Sequence, residues 1–215
     1  MINDKKITIS IGQSRTSKSW LAQELYYSEL LNRLSTPVRT SESFAEYCAL
    51  NKAGQDALKD VGGFVGGRLR GGARKSTSVI DRQLIALDAD NIPAGGTKDV
   101  LLALSGCGAA YAVYSTRRHQ PAAPRLRILL PLDRPAAPEE YEPIARKLAE
   151  IIGMSYFDPT TFEASRLMYW PSCSMDSEYI YIYEDKPWAS ADGILALYGD
   201  WRDCALWPQV PGADK

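Results

Sequence analysis

The sequence predicts an α+β or mixed-sheet fold in which helices pack on one sheet. Segments with strand-like alternation, or with a buried run of β-forming residues, recur along the chain, and segments with helical spacing of apolar residues lie between them. The composition supports a folded core, because 45% of the 215 residues are hydrophobic and 24% are charged, close to the averages of globular domains.

The first third of the chain begins with an alternating segment, KITISIG, which predicts a strand over residues 6–12. Trp, Leu and Tyr at helical spacing predict a helix over 20–34, and the polar cluster at Thr40 begins a second helix that ends at Leu50. A glycine-rich segment follows at 62–72, where the lack of side chains allows a backbone to approach a phosphate closely.

The rest of the chain alternates between the two kinds of element. Strands are predicted over 82–87, 109–115, 126–132, 166–170 and 178–184. Helices are predicted over 97–104, 138–152 and 189–198. The helix at 138–152 has the clearest signals, since Pro138 opens it and Gly153 follows its end. Residues after Trp201 are expected to fray.

Charge and metal-ligand counts exclude several classes of protein. The net charge is −1, so the chain is not a polycation, and any affinity for nucleic acid must come from local basic patches. The four cysteines form no CxxC pair, which argues against a zinc ribbon. His119 is the single histidine, which excludes zinc sites and nucleases that need two histidines within the chain.

The chain shows no sign of a membrane segment. No apolar run approaches the roughly 18 residues that a spanning helix needs. The polar N-terminal segment, residues 1–19, lacks the apolar stretch of a signal peptide. Widely spaced cysteines in a chain that is not exported indicate reduced thiols, so we expect a cytoplasmic location and no membrane partner.

The sharpest local signal is the segment LIALDADN, an apolar strand that ends in Asp88 and Asp90. Residues two apart on a strand point to the same side, so the two carboxylates are expected to converge at the strand end. A hard cation such as Mg²⁺ or Mn²⁺ relieves the repulsion between them. The alternative is a solvated turn that closes the strand with the help of Asn91.

Asp158 is a candidate third carboxylate. It follows an aromatic pair, Tyr156 and Phe157, a setting that suits a metal ligand at a sheet edge. The alternative is a turn or helix-capping aspartate in front of Pro159.

Two stretches are rich in basic residues and contain no acid. Residues 66–75 contain Arg68, Arg70, Arg74 and Lys75, and residues 114–127 contain Arg117, Arg118, His119, Arg125 and Arg127. Guanidinium groups match phosphate oxygens, so these stretches are candidates for binding nucleotides or nucleic acid. The alternative in each case is a solvated basic face.

The segment GQSRTSKS follows a strand and resembles a phosphate-binding P-loop. Ser17 stands where the second glycine of that motif is required, and its side chain crowds the phosphate cradle. We therefore do not expect an ATPase site there.

Several segments occur in an order and spacing that are familiar. They are KDVGGFVGG at 59–67, LDAD at 87–90, YSTRRH at 114–119, PRLR at 124–127, YFD at 156–158 and SRLMYWPS at 165–172. Together they resemble the primase-polymerase domain of archaeo-eukaryotic type in phage and prophage replication proteins. These domains are often fused to virulence-associated-E-like or superfamily 3 helicases.

The resemblance implies roles for particular residues. Asp88 and Asp90 match the first family motif, and Asp158, preceded by Phe157, matches the third. The second motif, SxH, matches imperfectly, because His119 is present but Arg117 stands in the place of the serine, and Ser115 lies two residues further back. Arg127 could do the phosphate work of that histidine, and both remain open. The nucleotide-binding residues implied are Ser115, His119, Arg125, Arg127 and Arg166; those implied for nucleic acid are Arg68, Arg70, Arg74, Lys75, Arg117 and Arg118.

The resemblance also implies a fold and partners. We expect residues 1–200 to form a two-part catalytic module with a sheet like that of the RNA-recognition motif, and 201–215 to form a tail that begins a linker to a helicase region. The module would join NTPs or dNTPs on a single-stranded DNA template, with one or two Mg²⁺ or Mn²⁺ ions. We expect it to be a monomer, to have a helicase domain or subunit as partner, and to work in the cytoplasm of a bacterial host.

Two other functions remain open. The chain could be a non-catalytic module that binds single-stranded DNA or an origin, which needs the basic patches but not the three acids. It could also be a sugar-nucleotide transferase of the DxD type, which needs a metal but no DNA.

Overall fold

The structure, a computed structural model, describes residues 1–212 and has the predicted α+β architecture. The strands of these residues form three sheets of five, four and two strands, and not the single sheet that was predicted. The strands are β1 (Lys6–Gly12), β2 (Leu21–Tyr26), β3 (Val38–Arg39), β4 (Gly63–Val65), β5 (Gly67–Leu69), β6 (Val79–Ala89), β7 (Tyr111–Ser115), β8 (Leu126–Ala136), β9 (Met168–Tyr169), β10 (Ser172–Cys173) and β11 (Tyr181–Glu184). The α-helices are α1 (Tyr27–Ser35), α2 (Phe44–Ala49), α3 (Lys52–Lys59), α4 (Thr97–Gly106), α5 (Pro138–Ile152) and α6 (Ala191–Leu195).

The central element is a five-stranded antiparallel sheet in the order β11-β7-β8-β6-β5. Along the chain, β6, α4, β7, β8 and α5 are followed by Phe157, which forms an antiparallel bridge with Ala89 at the end of β6. This arrangement gives the βαββαβ order of the RNA-recognition motif, so the predicted type of sheet is confirmed.

The two faces of this sheet are covered by different parts of the chain. Ile85 and Leu87 of β6 point into a core shared with α4, α5 and α6. Leu84 and Ala86, which alternate with them, point into a second core shared with β1 and α1. Because side chains alternate along a strand, every even-numbered residue near the end of β6 faces the N-terminal half of the molecule.

The N-terminal half is a four-stranded antiparallel sheet, β2-β1-β4-β9, with α1 beside it. The prediction of a helix over 20–34 is wrong in its first part, because residues 21–26 form β2 and pair with β1 along its length. This edge strand is mostly exposed, so its sequence lacks the apolar alternation that identifies a half-buried strand.

The segment between Thr40 and Lys59 contains two helices where one was predicted. Helix α2 begins only at Phe44, after Ser43 and Glu46 form a reciprocal capping box. Helix α3 follows, with the Asn51 side chain accepting a hydrogen bond from the backbone N–H of Gly54. Since α3 buries no residue fully, it has little of the apolar pattern from which helices are predicted.

The glycine-rich segment forms two short strands rather than a phosphate-binding loop. Strand β4 belongs to the four-stranded sheet and β5 to the five-stranded sheet, with the single residue Gly66 between them. A Cβ atom at Gly67 would lie 1.9 Å from the carbonyl oxygen of Asp81, and one at Gly63 would lie 2.4 Å from that of Met168. These two glycines are therefore required for close packing of neighbouring strands.

The C-terminal segment packs on the molecule as far as residue 212. The indole N–H of Trp207 donates to the carbonyl of Trp201 at 2.7 Å, and Arg146 of α5 donates to the carbonyl of Pro208 at 2.9 Å. The expected fraying after Trp201 is therefore wrong for residues 201–212, and residues 213–215 lie outside the described part of the chain. Among the described residues, no helix is both long enough and apolar enough to cross a bilayer.

Candidate active site

Asp88 and Asp90 lie on the face of β6 that points toward the N-terminal half. The strand register places Asp88 directly opposite Arg127 of β8, and the same register carried one pair further places Asp90 opposite Arg125. Nη1 of Arg125 lies 3.3 Å from Oδ1 of Asp90. The predicted convergence of the two carboxylates is therefore present, and each has an arginine across the strand.

Asp88 is buried and its carboxylate is incompletely satisfied. The nearest guanidinium atoms are Nε of Arg127, 3.5 Å from Oδ1, and Nη2 of Arg166, 3.9 Å from Oδ2. Oδ1 of Asp88 and Nε of Arg127 are both buried without a hydrogen-bond partner among the described residues. The backbone N–H of Asp88 donates to Oγ1 of Thr161 at 2.7 Å, which fixes the end of the strand.

Burial and the negative charge of Asp88 raise the pKa of Asp90 above its usual range. Arg125, Arg127 and Lys59 oppose this shift but do not cancel it. The two carboxylates therefore repel each other where water is partly excluded. A bound cation would stabilise the doubly ionised pair.

Asp158 is brought to the same face by the bridge between Ala89 and Phe157, because the antiparallel register sets Asp158 opposite Asp88. Its Oδ1 accepts hydrogen bonds from the backbone N–H of Thr160 at 2.8 Å and from its hydroxyl at 2.6 Å. Those bonds lower the pKa of Asp158 despite partial burial. The side chain thus caps the 3₁₀ turn at Pro159–Phe162, the alternative considered for it from the sequence.

The residues present fit a divalent cation held by two carboxylates. No group of three or more His, Cys, Asp or Glu side chains within residues 1–212 is arranged to enclose a metal ion. Mg²⁺ commonly binds through one or two carboxylates together with substrate phosphates. The unsatisfied Oδ1 of Asp88 and the repulsion between Asp88 and Asp90 match that donor set.

Arg127, and not His119, lies beside the carboxylate pair. Its Nη1 donates to the carbonyl of Tyr169 at 3.0 Å. Burial opposes its charge, but the carboxylates of Asp88 and Asp90 and the contact with Tyr114 outweigh burial and raise the pKa of Arg127. Arg127 is therefore charged and directed at the site.

His119 and Ser115 have structural contacts instead. The backbone N–H of Arg125 donates to Nδ1 of His119 at 3.1 Å, and burial lowers the pKa of the imidazole. Oγ of Ser115 accepts from the backbone N–H of Ile180 at 2.9 Å. Ser115 also borders a narrow crevice beside Arg127, whereas His119 lines neither that crevice nor the main cavity.

Arg166 reaches the site from a loop that buried contacts hold in place. The guanidinium of Arg82 is fully buried and donates to the carbonyl of Ala164 and, at 3.2 Å, to the hydroxyl of Tyr141 on α5. Arg74 donates to the carbonyl of Ser165 at 3.4 Å. These contacts hold the backbone just before Arg166.

A cavity of about 580 Å³ opens in front of Asp88, between the two halves of the molecule. It is lined by Arg15, Thr16, Lys52, Asp56, Lys59, Arg74, Asp88, Arg127, Glu163, Arg166, Leu167 and Tyr169. Its volume lies within the range of ligand sites. We call this cavity the cleft.

Eight cleft residues were not proposed as site residues from the sequence. Five belong to the N-terminal half (Arg15, Thr16, Lys52, Asp56 and Lys59), and the others are Glu163, Leu167 and Tyr169. Arg15 and Thr16 belong to the P-loop-like segment, which connects β1 to β2 in a hairpin and is followed by no helix. That geometry confirms that no P-loop is present there. Lys59 is the first residue of the KDVGG segment, and that segment is the one sequence signal that could have identified it.

Lys59 is a cleft lysine whose charge interacts with both carboxylates of the pair. Burial and the nearby charge of Arg127 lower the pKa of Lys59 to about 8, against the opposing effect of Asp88 and Asp90. Its Nζ lies 4.8 Å from the ring centre of Tyr169. Lys59 therefore adds a positive charge near the two acids, and this charge is lost as the pH rises through about 8.

The residues expected to contact nucleic acid are spread over different surroundings. Arg74 lines the cleft, and Arg68 is ion-paired with Asp81. Arg70, Lys75 and Arg118 are exposed outside it.

Arg117 requires a correction. Its side chain is buried, is ion-paired with Glu42, and donates to the carbonyl of Leu58 at 3.1 Å. Arg117 therefore holds the segment that contains α2 and α3 against the loop after β7, and its guanidinium is not available to nucleic acid.

One solved structure that is similar to the chain comes from a cyanophage. It is the AEP domain (PP-N190) of the primase-polymerase (PrimPol) of cyanophage S-2L, 14% identical, covering 89% of this chain and 87% of that chain, with a TM-score of 0.45. No curated protein matches the chain.

The family comparison covers nearly the whole sequence. The model of the VapE N-terminal domain matches residues 1–210, which include the four-stranded and five-stranded sheets, the cleft and the three aspartates. The expected relation to virulence-associated-E-like replication proteins is thereby confirmed at the level of the family. The chain belongs to the VapE N-terminal domain family.

Proposed function

We propose that this domain is a metal-dependent, template-directed nucleotidyltransferase, a primase-polymerase that joins NTPs or dNTPs and releases pyrophosphate. The observation that carries the proposal is the environment of Asp88. It is a buried carboxylate with an unsatisfied oxygen, on the same face of β6 as Asp90, with Arg127 and Arg166 directed at it in the cleft. Membership of the VapE N-terminal domain family supports the proposal.

In the proposed mechanism, Asp88 and Asp90, at the end of β6, would hold one or two Mg²⁺ or Mn²⁺ ions. When bound, such an ion lowers the pKa of the attacking 3′-hydroxyl and neutralises charge on the triphosphate. Arg166 and Arg127 bind the phosphate oxygens and stabilise the charge that develops as pyrophosphate leaves. Both face the cleft already, so little reorganisation is needed.

Asp158 would act as the third carboxylate. The bridge at Phe157 sets it opposite Asp88, and it is only partly buried, so its side chain could turn from Thr160 toward a cation. Arg125, ion-paired with Asp90, would orient that carboxylate. In this role the carboxylate of Asp158 would leave the cap of the 3₁₀ turn and help to hold the cation.

The wider setting belongs to the same proposal. The substrates are a single-stranded DNA template and nucleoside triphosphates, and the partner is a helicase domain or subunit of a phage or mobile-element replication protein. The site of action is the cytoplasm of a bacterial host. The family match to a domain described as N-terminal supports a further region in such proteins.

A non-catalytic module for binding single-stranded DNA is the second candidate. It is favoured by one observation, that within residues 1–212 no three acidic side chains are gathered around a common point. Its prediction is binding of DNA without metal-dependent binding of a triphosphate.

Primer extension on a single-stranded template with Mg²⁺ or Mn²⁺ tests the proposal, using Asp88→Asn and Asp90→Asn. Each variant should lose at least ~100-fold in nucleotide addition, the size expected when a charged group at the reaction centre is removed. Asp99→Asn is the matched control, since it removes one exposed carboxylate on α4. Melting temperatures should show that all three variants fold.

Retention of activity by Asp88→Asn would remove the metal assignment. If wild type gives no product but is stabilised against melting by dGTP and Mn²⁺, the domain binds substrate and requires its partner region for synthesis. If it binds only DNA, the non-catalytic module is the correct function.

A further inference from the structure

The cleft has two walls that differ in charge. The wall formed by the N-terminal half carries four basic side chains, Arg15, Lys52, Lys59 and Arg74, and a single acid, Asp56. The carboxylate of Asp60 also adjoins this wall, because it accepts from the backbone N–H of Arg15, so the wall has two positive charges in excess when all four basic side chains are protonated. Such an excess attracts anions into a confined space.

The opposite wall is balanced. Its two basic side chains, Arg127 and Arg166, are matched by two acids, Asp88 and Glu163. Both arginines also have their nearest opposite charge on Asp88, within 3.9 Å. A divalent cation bound there would bring a triphosphate to this wall, which leaves the excess charge of the N-terminal wall without a counter-charge.

The N-terminal wall is held in place before any ligand binds. Asp56 lies 3.1 Å from Nη1 of Arg15 and 3.0 Å from Nζ of Lys52. The backbone N–H of Arg15 donates to the carboxylate of Asp60 at 3.0 Å. These contacts fix the β1–β2 hairpin loop against α3, so the two side chains reach the cleft from a fixed support.

Arg74 completes this wall with a donor that has no partner. Its Nη2 donates to the carbonyl of Arg15 at 3.3 Å, close to the upper limit of a hydrogen bond. Its Nε is buried and has no hydrogen-bond partner among the described residues. The two Nη atoms make only long bonds, 3.4 Å to the carbonyl of Ser165 and 3.3 Å to that of Arg15, and a phosphate oxygen is a stronger acceptor for them.

We infer that the N-terminal wall is a second phosphate site, distinct from the site at Asp88, which binds a phosphate of a second nucleotidyl ligand through Arg15, Lys52 and Arg74. The inference rests on the proposed function, because it assigns the incoming triphosphate to the opposite wall. The phosphate can come from the backbone of single-stranded DNA or from an initiating nucleoside triphosphate, and the experiment separates the two.

The test variant is Arg15→Ala/Lys52→Ala. Both side chains are exposed, and the backbone hydrogen bond from Arg15 to Asp60 is kept. The control is Lys98→Ala/Arg202→Ala, which removes the same charge from exposed positions that do not line the cleft. Two quantities are measured with Mn²⁺: the affinity for a fluorescent single-stranded oligonucleotide at several salt concentrations, and the number of dGTP molecules bound per chain at saturation.

If the ligand is a DNA backbone, the test variant should bind the oligonucleotide about tenfold more weakly, and the salt slope should fall by about 0.7 for each phosphate that is no longer neutralised. One dGTP should still bind. If the ligand is an initiating nucleotide, the wild type should bind two dGTP and the test variant one, with oligonucleotide affinity unchanged. Either result supports a second phosphate site.

Equal behaviour of the test and control variants would overturn the inference. Complete loss of dGTP binding in the test variant would also overturn it, because the N-terminal wall would then hold the only triphosphate. A separate variant tests the proposed function. If that function is correct, Asp88→Asn should lose metal-dependent dGTP binding and keep its affinity for the oligonucleotide. If Asp88→Asn binds dGTP as the wild type does, the proposed function fails.

Discussion

The side chain of Lys59 affects both the candidate active site and the stability of the fold. It faces the cleft over the ring of Tyr169, and burial lowers its pKa from the ordinary 10.5 to about 8. Near neutral pH the amine of Lys59 is mostly charged. Burying that charge destabilises the folded state relative to the unfolded chain, in which the amine is solvated. A functional site often retains a group that weakens the fold in this way.

This residue gives a pH-dependent prediction. Between about pH 8 and 10.5 the unfolded chain binds more protons at Lys59 than the folded chain does, so the free energy of unfolding should rise with pH across this window. Lys59→Met should remove that rise and increase the free energy of unfolding at pH 7 by ~2 kcal/mol. Urea denaturation at a series of pH values measures both effects. An unchanged pH slope in the variant would show that the pKa of Lys59 is not lowered.

A second prediction distinguishes Arg127 from His119 as the residue that performs the phosphate role of the second motif. Arg127→Gln should reduce nucleotide addition by about 100-fold, since its guanidinium faces Asp88. His119→Gln should change activity by less than about threefold, because the imidazole only accepts a backbone hydrogen bond from Arg125. Steady-state primer extension compares the two variants at equal folded concentration. Equal losses of activity in the two variants would show that His119 also performs the phosphate role of the second motif.

At the scale of the element, the segment from β4 to β5 is closely constrained by the neighbouring strands. Gly66 lies between the two strands, and its carbonyl accepts from the backbone N–H groups of Gln83 and Leu84, each at 3.1 Å. A Cβ atom on Gly66 would lie 2.6 Å from the carbonyl oxygen of Leu84. The crossing between sheets is thus bonded to β6, the strand that ends in the carboxylate pair.

Gly67→Ala should therefore destabilise the domain by about 3 kcal/mol, because its methyl group would overlap the carbonyl of Asp81 and force β5 away from β6. Gly106→Ala is the control, since a methyl group on that glycine of α4 would point into open space and should cost nothing. Chemical denaturation reports both free energies. A Gly67→Ala protein as stable as wild type would contradict the close approach of these strands.

At the scale of the whole molecule, most elements of the RNA-recognition-motif-like part could be predicted. Helix α5 has the predicted bounds, and β6 and β8 contain the predicted strands, because these segments carry strong apolar patterns that the core then buries. The N-terminal half was predicted less well. Strand β2 and helix α3 are largely exposed, so their type is decided by pairing and capping rather than by apolar periodicity.

The candidate site was predictable where it follows from strand geometry. Asp88 and Asp90 share a face because they are two residues apart, and Arg125 and Arg127 share one for the same reason. The N-terminal wall could not be predicted, because Arg15, Lys52 and Arg74 lie far apart in sequence and meet only through tertiary contacts. Likewise, nothing in the sequence of the 114–127 stretch shows that Arg117 is buried against Glu42 while Arg118 is exposed.

The single-residue crossing at Gly66 also bears on selectivity. Since the backbone on both sides of Gly66 is bonded into a sheet, the two halves have no free hinge there, and the width of the cleft is set by covalent and hydrogen-bonded geometry. A ligand too bulky for that gap should be rejected by steric exclusion, because the halves cannot separate at this junction to admit it.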